Sequence, residues 1–397
     1  MKTSITDFQD DFYKGKKVLV RLDFNVPISN GEVDDDFRIR SSIPTLEYLS
    51  RRGAKLIIIS HLGRPKGKYE SYFSLKPVIS RLQSLLPEKK VNWIDDCIGH
   101  NVENSIQKLQ NGEILLLENL RFHSGEEKND EKFAQSLASY AEIFVNDAFS
   151  ASHRKHASIY GVPTLSQYRL AGLQLQKELK YLTNIRDEPE QPFVLVIGGA
   201  KIRDKIDALK RLVDKAEKVL VGGAIAYTFL ASKGYSVGKS PVEDDYISWA
   251  AEILEKEEKI LLPEDQFIAP NIDERHRIQL VGTEIPSDMI GFDIGPKTSQ
   301  NYMSIISSTK GTVFWNGPMG LFEIREFSHG TIDIVIATIL ARLRGAETVI
   351  GGGDSVSALR KIMANKSEVS HISTGGSASL EFIGGKALPG IEILKDK

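Results

Sequence analysis

The sequence predicts an α/β protein of two domains, each a parallel sheet with helices on both faces. Three observations carry that prediction. Short runs rich in Val, Ile and Leu alternate with longer amphipathic stretches along the whole chain, which is the rhythm of doubly covered strands joined by crossover helices. The chain has 397 residues, more than a single core usually serves. Four runs in the second half, "FVLVIGGAK", "KVLVGGAIA", "TVIGGGDS" and "HISTGGSAS", open directly onto glycine pairs.

In the first half the expected strands lie in "KKVLVRLDFN", "AKLIIISHLG", "KVNWIDD", "EILLLENLRF" and "AEIFVNDAFS". A helix is expected after Arg38, because Ile39, Ile43, Leu46 and Leu49 recur at helical spacing. The second half offers "FVLVIGG", "KVLVGGA", "KILLPEDQ", "MIGFDIG", "TVFWNGP", "TVIGGG" and "HISTGG". There a helix is expected to begin at Lys201, with Ile202, Ile206, Leu209, Val213 and Ala216 on one face and Lys205, Lys210 and Asp214 on the others. Between the halves, "TNIRDEPEQPF" carries Pro189 and Pro192 and breaks a preceding helical pattern. The boundary is placed there, dividing the chain into 1–186 and 187–383 with a tail, 384–397.

Composition limits the partners. With 51 basic and 53 acidic residues the net charge is −2, so no global attraction draws the chain to nucleic acid or to an anionic membrane. The single cysteine, Cys97, suits a reducing compartment. The opening "MKTSITDFQDDFYKGKK" is too polar for a signal peptide, and the apolar runs are too short to span a bilayer. A soluble, cytoplasmic protein is expected.

Ligands of open parallel sheets sit beyond the carboxyl ends of the strands, so the residues that follow each run matter most. After the first-half runs come Arg21, Asp23 and Asn25, then His61 and Arg64, Arg121 and His123, and Asn146, Asp147, His153 and Arg154. After the second-half runs come glycine pairs, Lys201, Asn316, Asp354 and Ser355. Guanidinium forks match carboxylate and phosphate edges, and several together repel one another unless an anion lies among them. Glycines at a helix start let backbone N–H groups approach phosphate oxygens. Two anion sites of these kinds point to phosphoryl transfer between a small anionic metabolite and a nucleotide.

Plainer readings apply to several motifs. A lone glycine pair after a strand is usually a tight turn, and it is the repetition that suggests phosphate. "DDDFR", Asp34 to Arg38, reads as a cap and first helical turn ahead of a metal site. "SHRKH" lacks partners at ligand spacing. "GYSVGKS" has one residue too few between its glycines for a phosphate loop, and no G-x-G-x-x-G follows an early strand.

Eight motifs occur in order: "RLDFNVP", "SHLGRP", "LLLENLRFH", "NDAFSASHRKHAS", "GGAKIRDKI", "FWNGPMGLFE", "GGGDS" and "STGGSAS". Together, from near residue 18 to near residue 390, the chain resembles the phosphoglycerate kinase family. That resemblance implies reversible phosphoryl transfer from 1,3-bisphosphoglycerate to ADP, giving 3-phosphoglycerate and ATP with magnesium. It also implies a monomer of two Rossmann-like αβα domains with a deep cleft, a hinge, and a tail, "IGGKALPGIEIL", returning to the first domain. The glycerate would be bound by Asp23, Phe24, Asn25, Arg38, His61, Leu62, Gly63, Arg64, Arg121 and Arg154. The nucleotide would be bound by Lys201, Lys205, Asn316, Glu323, Gly352, Gly353, Asp354 and Ser355, with Asp354 holding the magnesium. Ser150, Ser152, Ser355 and Ser377 depart from the residues usual in that family, all with small side chains.

Transfer onto a carboxylate needs no general base, because that nucleophile is already ionised at neutral pH. Catalysis is then expected to rest on alignment and on neutralising charge on the moving phosphoryl group, a task assigned to Arg38, Lys201 and the amides of Gly375 and Gly376. Two other classes stand beside this one: a ligase that forms an acyl phosphate and couples it to an amine, and a nucleotide-binding module without catalysis.

Overall fold

The structure is a computed structural model describing residues 2–362 and 368–397. Two compact units divide the chain, Met1–Lys180 with Ala387–Lys397, and Tyr181–Lys386. The changeover falls inside the helix Leu173–Asp187, ahead of Pro189 and Pro192.

The first unit holds a six-stranded sheet of β1 (Lys17–Arg21), β2 (Lys55–Ile59), β3 (Val91–Trp93), β4 (Ile114–Leu116), β5 (Ile143–Asn146) and β6 (Tyr168–Ala171), in the order β3-β4-β2-β1-β5-β6. Every pairing is parallel, with Val20 opposite both Ile58 and Val145. Both Val18 and its neighbour Leu19 are buried, so the sheet is covered on both faces, which is why its strands read as unbroken apolar runs. On one face Val18, Val20, Leu56, Ile58, Ile114, Leu116, Ile143 and Val145 join a core with Ile39, Leu46 and Leu49 of the helix Phe37–Arg51. Each such side chain contributes roughly 1.5–3 kcal/mol of burial, and together they fix the helix whose first turn bears Arg38. Strand β6 escapes sequence reading because "YRLA" at the sheet edge is only half covered at Tyr168 and Arg169. In the same unit Thr3 N–H donates to Lys395 O (2.7 Å) and Gly390 N–H to Ser152 O (2.9 Å), tying the chain's end to its start and to β5's loop.

The second unit holds β7 (Phe193–Ile197), β8 (Lys218–Val221), β9 (Ile260–Leu261), β13 (Thr312–Asn316), β14 (Glu347–Gly351) and β15 (His371–Ile372), all parallel in the order β9-β8-β7-β13-β14-β15. The run "MIGFDIG" does not belong to this sheet. It forms β12 (Ile290–Ile294), antiparallel to β10 (Gln266–Ala269), which also pairs antiparallel with β11 (Gln279–Val281). A five-residue apolar run carries no mark of its partner's direction, and this one contains Asp293, whose buried carboxylate accepts from Gly330 N–H (2.9 Å).

Candidate functional site

In the first unit the loops after β1, β2, β4 and β5 bring four guanidinium groups around one imidazole. Arg21, the last residue of β1, is buried; its Nη2 donates to His61 Nδ1 (3.0 Å) and its Nε to Ser158 Oγ (2.9 Å). An arginine only donates, so His61 must be neutral with its proton on Nε2. Burial, followed by the charges of Arg21, Arg121, Arg38 and Arg154, holds His61 well below the ordinary histidine range. Burial likewise lowers Arg121 to about 10, and brings His156 to about 4 with help from Arg121, Arg21 and Arg154.

The loop that carries His61 is set by Asn119. Its Nδ2 donates to Leu62 O (2.7 Å) and Phe73 O (2.9 Å), while its Oδ1 accepts from Leu62 N–H (3.2 Å) and Arg121 N–H (3.0 Å). Gly63 follows with φ +59°, and a Cβ there would fall on the Phe73 ring. The Gly63 carbonyl accepts from Arg121 Nη1 (2.7 Å), and its N–H donates to Asn25 Oδ1 (2.9 Å).

Counter-charges balance part of the cluster. Arg38 pairs with Asp23 (2.8 Å) and donates to Asn25 O (3.2 Å); Asp23 also accepts from the Ser150 hydroxyl. Arg121 faces Glu127 at 3.3 Å. Arg154 donates to His153 Nε2 (3.1 Å), and Arg64 is exposed. Phe24 and Leu62, expected among the glycerate ligands, are buried in the core of this unit. The acidic run before the helix behaves as a cap: Asp35 Oδ1 accepts from Phe37 N–H (2.8 Å), and Asp36 pairs with Arg40 (2.7 Å) and Arg81 (2.6 Å).

In the second unit the expected helix at Lys201 is corrected. The helix spans Ile206–Leu212 with Lys205 as its cap residue. Lys205 itself stands at φ −122°, ψ −8°, outside the helical region, so the regular helix starts only at residue 206; upstream, the Glu243 carboxylate accepts from Ile202 N–H. Lys201 is exposed in the loop and does not share a helical face with Lys205. Lys205 is instead buried, its Nζ donating to Asn316 O (3.0 Å) and Oδ1 (2.5 Å). Burial lowers this ammonium from 10.5 to about 8, opposed by the charges of Asp354 and Asp204.

The glycine pairs divide into two kinds. Gly198, Gly199, Gly222 and Gly223 donate their N–H groups to Asn316 O, Pro318 O, Ile197 O and Met319 O at 2.8–3.0 Å. They are small because the segment Gly317–Met319 lies against them, where a Cβ on Gly198 would overlap Pro318 O; their amides are not available to a phosphate. Gly353 and Gly376 differ, since a Cβ on either would meet nothing within 4 Å. Gly353 begins the helix Gly353–Ile362 and Gly376 caps the helix Ser377–Ile383, so first-turn amides without intrahelical acceptors lie at these starts. The expectation for Gly375 is corrected: it is buried and its N–H donates to Ser373 Oγ (3.2 Å), so its amide is already spent. Ser355 turns inward and its Oγ accepts from Gly317 N–H (2.6 Å). Asn316 Nδ2 is buried without a protein partner, 3.2 Å from where a Cβ of Gly351 or Gly352 would stand. Glu323 and Asp354 are exposed.

One exposed carboxylate at such a helix start fits a magnesium ion carried in by a polyphosphate, since that ion keeps most of its ligands from water and phosphate. Among the described residues one other set of donor atoms has ligand spacing, Asp96, Cys97 and His123 in the first unit. Those atoms are already bonded: His123 Nε2 lies 2.8 Å from Asp96 Oδ1, and the Cys97 thiol donates to Glu118 O (2.9 Å). No helix among the described residues is long and apolar enough to cross a membrane.

The phosphoglycerate kinase family model matches residues 5–386. The chain belongs to the phosphoglycerate kinase family. Phosphoglycerate kinases of Dictyoglomus turgidum and of Borrelia garinii are 45% and 44% identical to it, covering 100% and 99% of both chains. Among solved structures, phosphoglycerate kinase from Coxiella burnetii aligns with a TM-score of 0.84 at 36% identity, and that from Pyrococcus horikoshii with 0.86 at 30%, each over 99% of this chain and 98% of the other. A phosphoglycerate kinase is a transferase that moves a phosphoryl group to or from a carboxyl group in glycolysis. Three supports of that site were missed in the sequence. Asn119 stands inside the motif "LLLENLRFH" and Ser158 closes the motif "NDAFSASHRKHAS", so both were legible there, whereas Glu126 carries no signal, because it reads as part of a solvated acidic run.

Proposed function

We propose that the first unit binds 3-phosphoglycerate or 1,3-bisphosphoglycerate at the guanidinium cluster, and that the second binds ADP or ATP with Mg2+ at the glycine-led helix starts. The concentration of Arg21, Arg38, Arg121 and Arg154 about a neutral His61 carries this reading, because like charges gathered so closely call for an anion among them. On the nucleotide side the support is the buried Lys205 ammonium and the open helix starts at Gly353 and Gly376, with Asp354 holding the metal, which would screen the polyphosphate charge.

The acceptor carboxylate attacks without a base. Arg38 exchanges its Asp23 partner for oxygens of the moving phosphoryl group, and Lys201 and the Gly376 amide meet that group from the nucleotide side. Glu323 contacts the ribose, and Ser355 acts through the Gly317 loop it holds. The two ligands meet by hinge closure that excludes water. The protein works as a cytoplasmic monomer; its near-neutral charge gives it no affinity for nucleic acid.

Formation of ADP from ATP, Mg2+ and 3-phosphoglycerate tests this, with the glycerate omitted as control. Turnover that requires the glycerate and falls about 10²–10³-fold in kcat for Arg38→Ala is expected. Glycerate-independent turnover, or an unaffected variant, overturns it.

A further inference from the structure

Behind the guanidinium cluster lies a carboxylate that the reaction itself does not use. Glu126 is fully buried; its Oε1 accepts from the Ser158 hydroxyl (2.6 Å) and its Oε2 from Ser158 N–H (2.9 Å). Ser158, also fully buried, has a single hydroxyl proton and spends it on Glu126. Its lone pairs are therefore turned to Arg21 Nε (2.9 Å), and Arg21 in turn donates Nη2 to His61 Nδ1 (3.0 Å). Each donor direction in this chain is dictated by its far end, since a carboxylate only accepts and a guanidinium only donates.

We propose that Glu126, acting through Ser158, is a positioning residue of the anion site: it aims the Arg21 guanidinium and thereby keeps His61 neutral with its proton on Nε2. The inference rests on the reading of the cluster as the phosphoglycerate site. A buried serine with no acceptor for its proton would turn that proton toward Arg21 Nε, placing donor against donor. Arg21 would then lose its orientation, and Nδ1 of His61 its fixed partner. Glu126 also supplies a negative charge where burial and four guanidiniums would otherwise go poorly compensated, its attraction being the largest one acting on Arg21.

Glu126→Gln, Ser158→Ala and Ser158→Thr are made in the full chain. Steady-state kinetics are measured with each substrate varied in turn, and the imidazole nitrogens are followed by 15N NMR, with His61 assigned from the His61→Gln spectrum. The expected result is a rise of about tenfold or more in KM for 3-phosphoglycerate in Glu126→Gln and Ser158→Ala, with KM for ATP changed less than about twofold. Ser158→Thr, which restores the hydroxyl, recovers the parent value. The parent His61 shows a pyrrole-type Nε2 and a pyridine-type Nδ1, and in Ser158→Ala this becomes a tautomer mixture. A lowered Tm with both KM values and the His61 signature unchanged overturns the proposal and leaves Glu126 a packing residue. If Glu126→Gln does not fold, Ser158→Ala, a smaller change, decides alone. Parent protein without glycerate-dependent turnover would refute the functional reading, and the His61 spectra would still show whether the relay exists.

Discussion

Lys205 holds a charge where burial opposes it, and for the nucleotide site proposed above that would make proton uptake a measure of binding. Its folded value is about 8 against 10.5 for a free lysine, a difference worth about 3 kcal/mol in disfavour of the ammonium. The sign follows from that direction. The folded value lies below the unfolded one, so the penalty on stability is fully present below pH 8 and fades as pH rises toward 10.5. At the nucleotide site proposed above, a polyphosphate beside Nζ would reverse the preference and hold the ammonium charged through pH 9. Without nucleotide about half of the molecules lack this proton at pH 8 and roughly nine-tenths at pH 9, so binding takes up ~0.5 and ~0.9 proton respectively, and almost none at pH 6.5. The apparent Kd for ATP should therefore be weaker by a factor of about 2 at pH 8 and about 11 at pH 9 than at pH 6.5. Titration calorimetry in two buffers of different ionisation enthalpy reads the uptake directly, with Lys205→Met as control. No uptake at pH 9 in the parent, or the same uptake in Lys205→Met, would refute the reasoning.

Gly63→Ala should cost about 1–3 kcal/mol in urea unfolding, because φ +59° is strained for alanine and its Cβ falls on the Phe73 ring; adding Phe73→Ala should return part of that loss and separate clash from strain. Asn119→Ala leaves Leu62 O, Phe73 O and two backbone N–H groups without their partner, so a loss of about 3 kcal/mol or more is expected, together with a raised KM for the glycerate. Gly317→Ala places a Cβ over Gly198 O and 2.6 Å from Lys205 Nζ. Calorimetry on that variant should show nucleotide affinity lost and 3-phosphoglycerate affinity kept, since the change is confined to the second unit.

Much of the fold was legible because buried parallel strands announce themselves. "LIII" after Lys55, "ILL" and "FVLVI" are apolar at every position, and only a strand covered on both faces needs that. The residues just past those runs were legible for a related reason: the carboxyl edge is where parallel sheets put their loops. Strand β12 was misplaced because short runs do not encode pairing direction. The start of the helix after Lys201 was misplaced because hydrophobic spacing continued upstream through Ile202, while the non-helical backbone at Lys205, whose side chain is buried on Asn316, arises only in the folded chain.

The sequence by itself determined the two parallel-sheet units, the carboxyl-edge motifs and the type of charge each motif carries, because strand burial and side-chain chemistry are local properties written in residue order. Only the tertiary structure decided which glycine amides remain open and which, at Gly198, Gly199 and Gly223, are spent on the Asn316–Met319 segment, that Lys205 is buried against Asn316, and that Glu126 stands behind Arg21. Those outcomes depend on groups 32 to 137 positions apart coming within hydrogen-bond reach, and residue order carries no trace of such distances.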